Sequence, residues 1–242
     1  MILKKNCADA EKTRFDWQTT HPFVAKKEKD LLRGIFTELP GDRILEVGCG
    51  ESANIVNMRL MNKNRRWIGM DISPDKVTFC RSHGPGRFLC ADGLMLPFKS
   101  NSFDIVFARD FLHHVDHVRE IAVHEMIRVC KENGKIVLLE ANGRKLIYRI
   151  FRLIDRSEVG MRNSTPAKLR RFMEKYNSLV DHNIFMLEPS IFFRLVFHYR
   201  VGIGRIGLYK LFQWLSQEIE QISVKICPED RWGYIVVVAT KK

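Results

Sequence analysis

Residues 43–50 read RILEVGCG, a short apolar run, Arg43–Val47, that ends in Gly48-Cys49-Gly50. Such a run closed by a glycine pair predicts a buried strand entering a tight turn. The pattern repeats along the first half of the chain. Arg66–Met70 (RWIGM) ends at Asp71, Arg87–Cys90 (RFLC) at Ala91-Asp92, and Phe103–Ala108 (FDIVFA) at Arg109-Asp110. A fifth run, Lys135–Glu140 (KIVLLE), follows an Asn133-Gly134 turn. Between these runs, Ala53–Met61 and Glu120–Val129 have helical spacing, and Ser73-Pro74-Asp75 reads as an N-cap with proline at the first helical position. Strands joined by helices predict an α/β fold, a parallel sheet covered on both faces.

The second half has a different texture. Arg144–Asp155 reads as a helix, and Thr165-Pro166 opens another that runs to about Lys175. Leu179–Leu187 predicts a sixth strand. Pro189–Ile222 reads as mostly helical, broken at Gly202 and Gly204, and Gly233–Thr240 (GYIVVVAT) predicts a final strand. Because the chain returns to the sheet at its end, the expectation is one domain over 1–242 with helical insertions. Its parts are an N-terminal lid segment (1–41), a core (42–142), insertions with the sixth strand (143–231) and the last strand (232–242).

The 242 residues are 45% hydrophobic and 28% charged, which excludes disorder as the main state. Forty Lys and Arg against 28 Asp and Glu give +12, and that excess is unevenly placed. Residues 143–215 carry 14 basic and 5 acidic side chains, whereas residues 43–142 carry 14 and 12. The charge therefore concerns the insertions rather than the core. The six cysteines, Cys7, Cys49, Cys80, Cys90, Cys130 and Cys227, show neither paired nor metal-ligand spacing and read as free thiols of a cytoplasmic protein. No uncharged apolar stretch has the length of a spanning helix.

In an open α/β sheet, ligands bind at the carboxyl ends of the strands. Those ends here carry Glu46, Gly48, Gly50, Asp71, Asp92 and Arg109-Asp110. The glycines allow close backbone approach. A carboxylate at Asp71 suits the two hydroxyls of a ribose, and Asp92 suits an exocyclic amine such as that of adenine. Gly48-x-Gly50-x-x-Ala53 followed by Asp71 also matches a weak dinucleotide fingerprint. Glu46, two residues before the first glycine, would repel a pyrophosphate and suits a ligand bearing an ammonium or sulfonium.

With ILEVGCG, Asp71, Ala91-Asp92-Gly93 and Arg109-Asp110-Phe111-Leu112-His113-His114 in place, the sequence resembles the class I S-adenosylmethionine-dependent methyltransferases, above all the group related to ubiquinone and menaquinone biosynthesis and small-molecule methylation. The resemblance is close over Asp42 to Asn142 and looser at the final strand. It implies a Rossmann-like, mainly parallel seven-stranded sheet whose last strand is antiparallel. It implies S-adenosyl-L-methionine as cofactor and S-adenosyl-L-homocysteine as product. It further implies that Glu46, Gly48, Cys49 and Gly50 hold the methionine part, Asp71 the ribose, Ile72 and Gly93 the adenine surroundings and Asp92 the adenine amine, with Arg109 bordering the methionine end. Ser52 departs from the family, which often has a third glycine there.

Candidate general bases are His113 and His114, past the fourth strand, and His21 in FDWQTTHPF. Proximity alone is the competing account of methyl transfer. No metal is expected. The Arg144–Arg156 stretch has an apolar face (Leu146, Ile147, Ile150, Phe151, Leu153, Ile154) opposite a basic one, as either a lid helix or an anionic-lipid surface. Ile191–Leu215 reads as a pocket for a long apolar acceptor or as a homodimer seam. The expected partner is a small-molecule acceptor, hydrophobic or lipid-like. An RNA-directed enzyme and a non-catalytic S-adenosylmethionine-binding protein are the alternatives; nucleic acid ranks below small molecules because no Asn/Asp-Pro-Pro-aromatic segment or Pro-Cys nucleophile is present.

Overall fold

The computed structural model describes residues 11–146, 148–149, 156–199 and 208–242. A seven-stranded sheet forms the centre, in the order β3-β2-β1-β4-β5-β7-β6. The strands are β1 (Arg43–Val47), β2 (Arg66–Asp71), β3 (Arg87–Cys90), β4 (Phe103–Arg109), β5 (Cys130–Ala141), β6 (Val180–Leu187) and β7 (Tyr234–Lys241). The pairs from β3 through β5 are all parallel, and β7 runs antiparallel to both β5 and β6. The α/β class and the antiparallel last strand expected from the sequence are therefore present.

The helices are α1 (Lys12–Thr19), α2 (Pro22–Phe36), α3 (Ala53–Met61), α4 (Pro74–His83), α5 (Arg119–Val129), α6 (Pro166–Glu174), α7 (Phe192–Val196) and α8 (Tyr209–Ile226). Ser73 caps α4 and Thr165 caps α6, each accepting from the amide three residues on, with proline next in line. Of the helix expected over Arg144–Asp155, residues 146, 148 and 149 are helical, and 147 and 150–155 lie outside the described residues. Gly202, Gly204 and Cys7 also lie outside them. The other five cysteines are free thiols.

Strand alternation divides the core into two layers. Val106, Ala108, Ile136, Leu138, Ile235 and Val237 face α5 and α6, whereas Ile105, Phe107, Val137, Leu139 and Val236 face α2, α3 and α4. Continuous apolar strands such as FDIVFA therefore report burial on both faces. A third cluster joins the N-terminal segment to the insertion: Phe23 and Val24 of α2 pack on Phe193, Val196 and Phe197, with Trp17, Tyr209 and Phe212 at its edge.

One boundary differs from expectation. β5 starts at Cys130, not Lys135, and runs through Asn133-Gly134. Cys130 pairs with Phe103 and Lys135 with Ile105, so five steps of β5 oppose two of β4. The Asn133-Gly134 pair, with Asn133 at φ 60°, makes a bulge within the strand instead of a turn before it.

Candidate active site

The loop after β1 is built by local backbone demands. Gly48 and Gly50 have φ of 71° and 54°, in the left-handed region that favours glycine. A Cβ on Gly48 would sit 2.9 Å from the Phe111 ring, so the loop and the segment after β4 are in close contact. Ser52 also adopts a left-handed conformation, φ 65°, at the position where the resembling family often has glycine. A non-glycine residue there costs on the order of 1–2 kcal/mol.

Asp71, at the end of β2, is buried and orients this loop. Its Oδ2 accepts the Gly50 amide at 2.9 Å and its Oδ1 the Ser73 amide at 2.9 Å. Each oxygen keeps a second lone pair. Ile72, next in sequence, exposes its apolar side chain. Asp92 is half-buried, with Oδ1 accepting the Leu94 amide at 2.8 Å, and Gly93 packs against Phe111 so closely that a Cβ would lie 2.7 Å from the ring. Cys49 keeps its thiol in the core; a hydrogen bond with Cys80 and burial hold its pKa well above the usual value.

Glu46 is fully buried on β1. Its Oε1 accepts from Asn54 Nδ2 at 2.6 Å, and its Oε2 has no partner among the described residues. Burial pushes its pKa up to about 8, against the opposing effects of Asn54 and Arg109. Asn54 in turn accepts from Arg109 Nη1 at 2.8 Å, and the same nitrogen donates to Glu28 Oε2 at 2.6 Å. Arg109 Nη2 reaches the Tyr234 hydroxyl at 3.1 Å, and that hydroxyl donates to Asp110 Oδ2 at 3.1 Å. Arg194 Nη1 donates to Glu28 Oε1 at 2.6 Å and its Nε to Glu188 Oε2 at 2.8 Å. A buried polar chain thus runs from Glu46 through Asn54, Arg109 and Glu28 to Arg194 and Glu188. Glu28 is desolvated, yet the two guanidinium groups hold its pKa down at about 2.

The order of elements and the residues matched by family comparison agree with this geometry. Residues 45–138 match the profile described as "Methyltransferase domain". Over residues 45–138 the chain is thus similar to a methyltransferase domain. An uncharacterized methyltransferase of Schizosaccharomyces pombe is 30% identical over 128 residues, 50% of this chain and 48% of that relative. A fatty-acid O-methyltransferase of Mycolicibacterium smegmatis is 27% identical over 64% of this chain and 58% of its own. The chain thus spans between 48% and 58% of the length of these curated relatives. Among solved structures, an S-adenosylmethionine-dependent methyltransferase of Archaeoglobus fulgidus superposes with a TM-score of 0.63 at 20% identity, covering 95% of this chain and 99% of that one, which shows the shared fold.

The three candidate histidines stand in different environments. His113 is buried between carboxylates: Nδ1 is 2.9 Å from Glu140 Oε2 and Nε2 is 3.3 Å from Glu158 Oε2. Although burial opposes its charge, these carboxylates raise its pKa to about 10. His114 is exposed, and desolvation together with the neighbouring His113 lowers its pKa. His21 caps α2, its Nδ1 accepting the Val24 amide at 3.2 Å, and its ring lies against Phe197 and Tyr209. The Nδ1 lone pair of His21 is thereby occupied.

Several residues around the site belong to no motif in the sequence: Glu28, Arg194 and Glu188, with Asn54, Glu140 and Tyr234. Two of them carried a signal. Glu28 falls in helical phase with the apolar residues Val24, Leu31, Leu32 and Ile35, and Arg194 interrupts an apolar run. A charge on an apolar face predicts a buried partner. Arg109, which by side chain or backbone is expected to border the methionine end, places its side chain in this ion network. The N-terminal segment is also placed: Arg14 pairs with buried Glu51, and Asn57 Nδ2 donates to Gln18 O at 3.2 Å, seating α1 on the loop and on α3.

Proposed function

We propose that the chain transfers a methyl group from S-adenosylmethionine to a small hydrophobic acceptor of lipid-like chemistry. The observation that carries the cofactor half is the combination of Glu46 and Asp71 around the Gly48–Gly50 loop. The buried Oε2 of Glu46 has no partner among the described residues, and Asp71 is fixed by two amides with lone pairs to spare. This donor set fits a ligand with an ammonium at one end and a diol further along. The cofactor, when bound, supplies a methyl group on a sulfonium.

The chain's own residues bind and orient. Glu46 takes the ammonium of the methionine part, and Asp71 takes the ribose hydroxyls. Ile72 covers one side of the adenine, Gly93 leaves room beside it, and Asp92 accepts from its amine. Arg109 acts at a distance: by holding Asn54 it holds Glu46. Catalysis then rests on juxtaposition of the two reactants, which is worth several kcal/mol. Neither nitrogen of His113 is free for a proton from an acceptor, and His21 is committed as a helix cap.

The acceptor half is supported by α8. Only Ser216 of its 18 residues is buried, and Leu208, Leu211, Trp214, Ile222 and Ile226 expose their side chains on one side of the helix. The opposite side meets the third cluster through Tyr209 and Phe212, and Lys27 of α2 pairs with Glu220. An apolar stripe of this kind suits a lipid acceptor and peripheral contact with an anionic membrane. The fatty-acid relative and the excess of basic residues in 143–215 agree with that choice. Among the described residues no helix is long and apolar enough to cross a membrane.

The test is incubation with methyl-labelled cofactor and a membrane-lipid extract. Label partitioning into the organic phase is expected. Label confined to water-soluble products contradicts the lipid acceptor, and no transfer to any fraction contradicts the enzyme.

A further inference from the structure

His113 and His114 follow β4, and Glu158 lies in the short 3-10 helix Arg156–Asn163. One ligand-type atom from each lies within 4.8 Å of the others. His113 is buried, Glu158 half-buried and His114 exposed. The His113 Nε2 to Glu158 Oε2 separation is 3.3 Å. Two ligands each about 2.0–2.1 Å from a tetrahedral ion stand about 3.3–3.4 Å apart, so this pair already has the required edge. His114 closes the third corner by rotation of an exposed side chain.

Behind the pair stands Glu140. Besides His113 Nδ1, its oxygens take the amides of Phe111 at 3.0 Å and Leu112 at 2.8 Å and the Ser164 hydroxyl at 3.1 Å. With Nδ1–H donating to Glu140, Nε2 is the ring nitrogen that faces Glu158. A carboxylate behind one ring nitrogen is the usual support of an imidazole that ligates metal through the other. The turn carrying Glu158 is also fixed in place: a Cβ on Gly160 would lie 1.9 Å from the His113 carbonyl oxygen, so the two backbones touch. The 3.3 Å approach is bridged by a proton on Nε2 or, where a divalent ion displaces that proton, by the metal.

We propose that His113, His114 and Glu158 bind one divalent cation of borderline softness, Zn²⁺ being the best match, with a fourth position open to water or a ligand oxygen. Two imidazoles with one carboxylate suit such an ion and do not suit Mg²⁺ or Ca²⁺, which take oxygen donors. The site stands on these three residues and does not depend on the methyl-transfer reading. Phe111, which packs on Gly48 and Gly93, precedes the histidines by two and three positions. An oxygen anion is the class of ligand the open position takes.

The test uses the full chain after treatment with chelator, titrated with Zn²⁺ by calorimetry and with Co²⁺ by visible spectroscopy. One equivalent is expected to bind, with Co²⁺ bands free of thiolate charge transfer. Glu158→Gln and His114→Ala, both at accessible positions, are each expected to weaken binding at least about tenfold while circular dichroism stays unchanged. Three results overturn the site: no stoichiometric binding, unchanged affinity in either variant, or a thiolate band showing that the cysteines hold the ion. A proton on His113 is then what fills the gap.

Discussion

Arg109, the last residue of β4, donates to Glu28 of α2 across 2.6 Å in the protein interior. The contact links the centre of the sheet to the helix that packs on α7, and so ties the candidate cofactor site to the segment above it. Glu28 also takes Arg194, so a single carboxylate holds two buried guanidinium groups. Glu28→Gln removes the carboxylate the two cations share, leaving Arg109 with Asp110 and Arg194 with Glu188. Breaking a buried pair in this way costs about 3–5 kcal/mol. Urea unfolding of the variant is expected to show a loss of that size, and an unchanged midpoint contradicts the structural role given to Glu28.

The ionised core makes stability depend on pH in both directions. Glu28 has a folded pKa of about 2 against an ordinary 4.5, so its contribution is complete above 4.5 and lost as pH falls toward 2. His113 has a folded pKa of about 10 against 6.5, so its contribution is complete below 6.5 and lost as pH rises through 10. Glu46, a carboxyl raised to about 8, loses stability between 4.5 and 8. The thermal midpoint of the ligand-free protein is therefore expected to peak near about pH 5 and to fall on both sides. Glu28→Gln flattens the acid limb; an acid limb of unchanged steepness in that variant contradicts the assignment.

Glu46 predicts a proton release. Below pH 8 it is neutral in the ligand-free protein, and a bound ammonium favours its carboxylate. Calorimetry of S-adenosylhomocysteine binding at pH 7, in two buffers of different ionisation enthalpy, is expected to show close to about one proton released. Buffer-independent heats contradict the contact between Glu46 and the ammonium.

The histidines separate proximity from base catalysis. With chelator present, His114→Ala and His21→Ala are each expected to keep methyl transfer within about tenfold of the parent, because a lost general base costs about a hundredfold or more. His21→Ala is also expected to lower stability by about 1 kcal/mol through loss of the α2 cap. A hundredfold drop in the His114 variant, with cofactor affinity intact, makes His114 the base.

Much of this architecture was legible in the chain because its determinants are local. Each apolar run with an acidic or glycine tip, from RILEVGCG to FDIVFARD, became a strand with its tip at the cleft, and Ser73-Pro74 and Thr165-Pro166 opened helices. The bulge in β5 was not legible: Asn133-Gly134 has the composition of a turn, and only pairing with β4 keeps it in the strand. The ion network was hidden for a different reason. Glu28, Arg109 and Arg194 are 81 and 166 positions apart in their pairings, and no spacing rule reaches that far. The same holds for Glu140 and Glu158, which give the His113-His114 pair its surroundings.

The most direct test of the central claim is calorimetric binding of S-adenosylhomocysteine to the parent and to Asp71→Ala. The account predicts one-to-one binding by the parent and at least a tenfold weaker affinity in the variant, about 1.4 kcal/mol or more. No binding by the parent, or equal affinity in both, contradicts it.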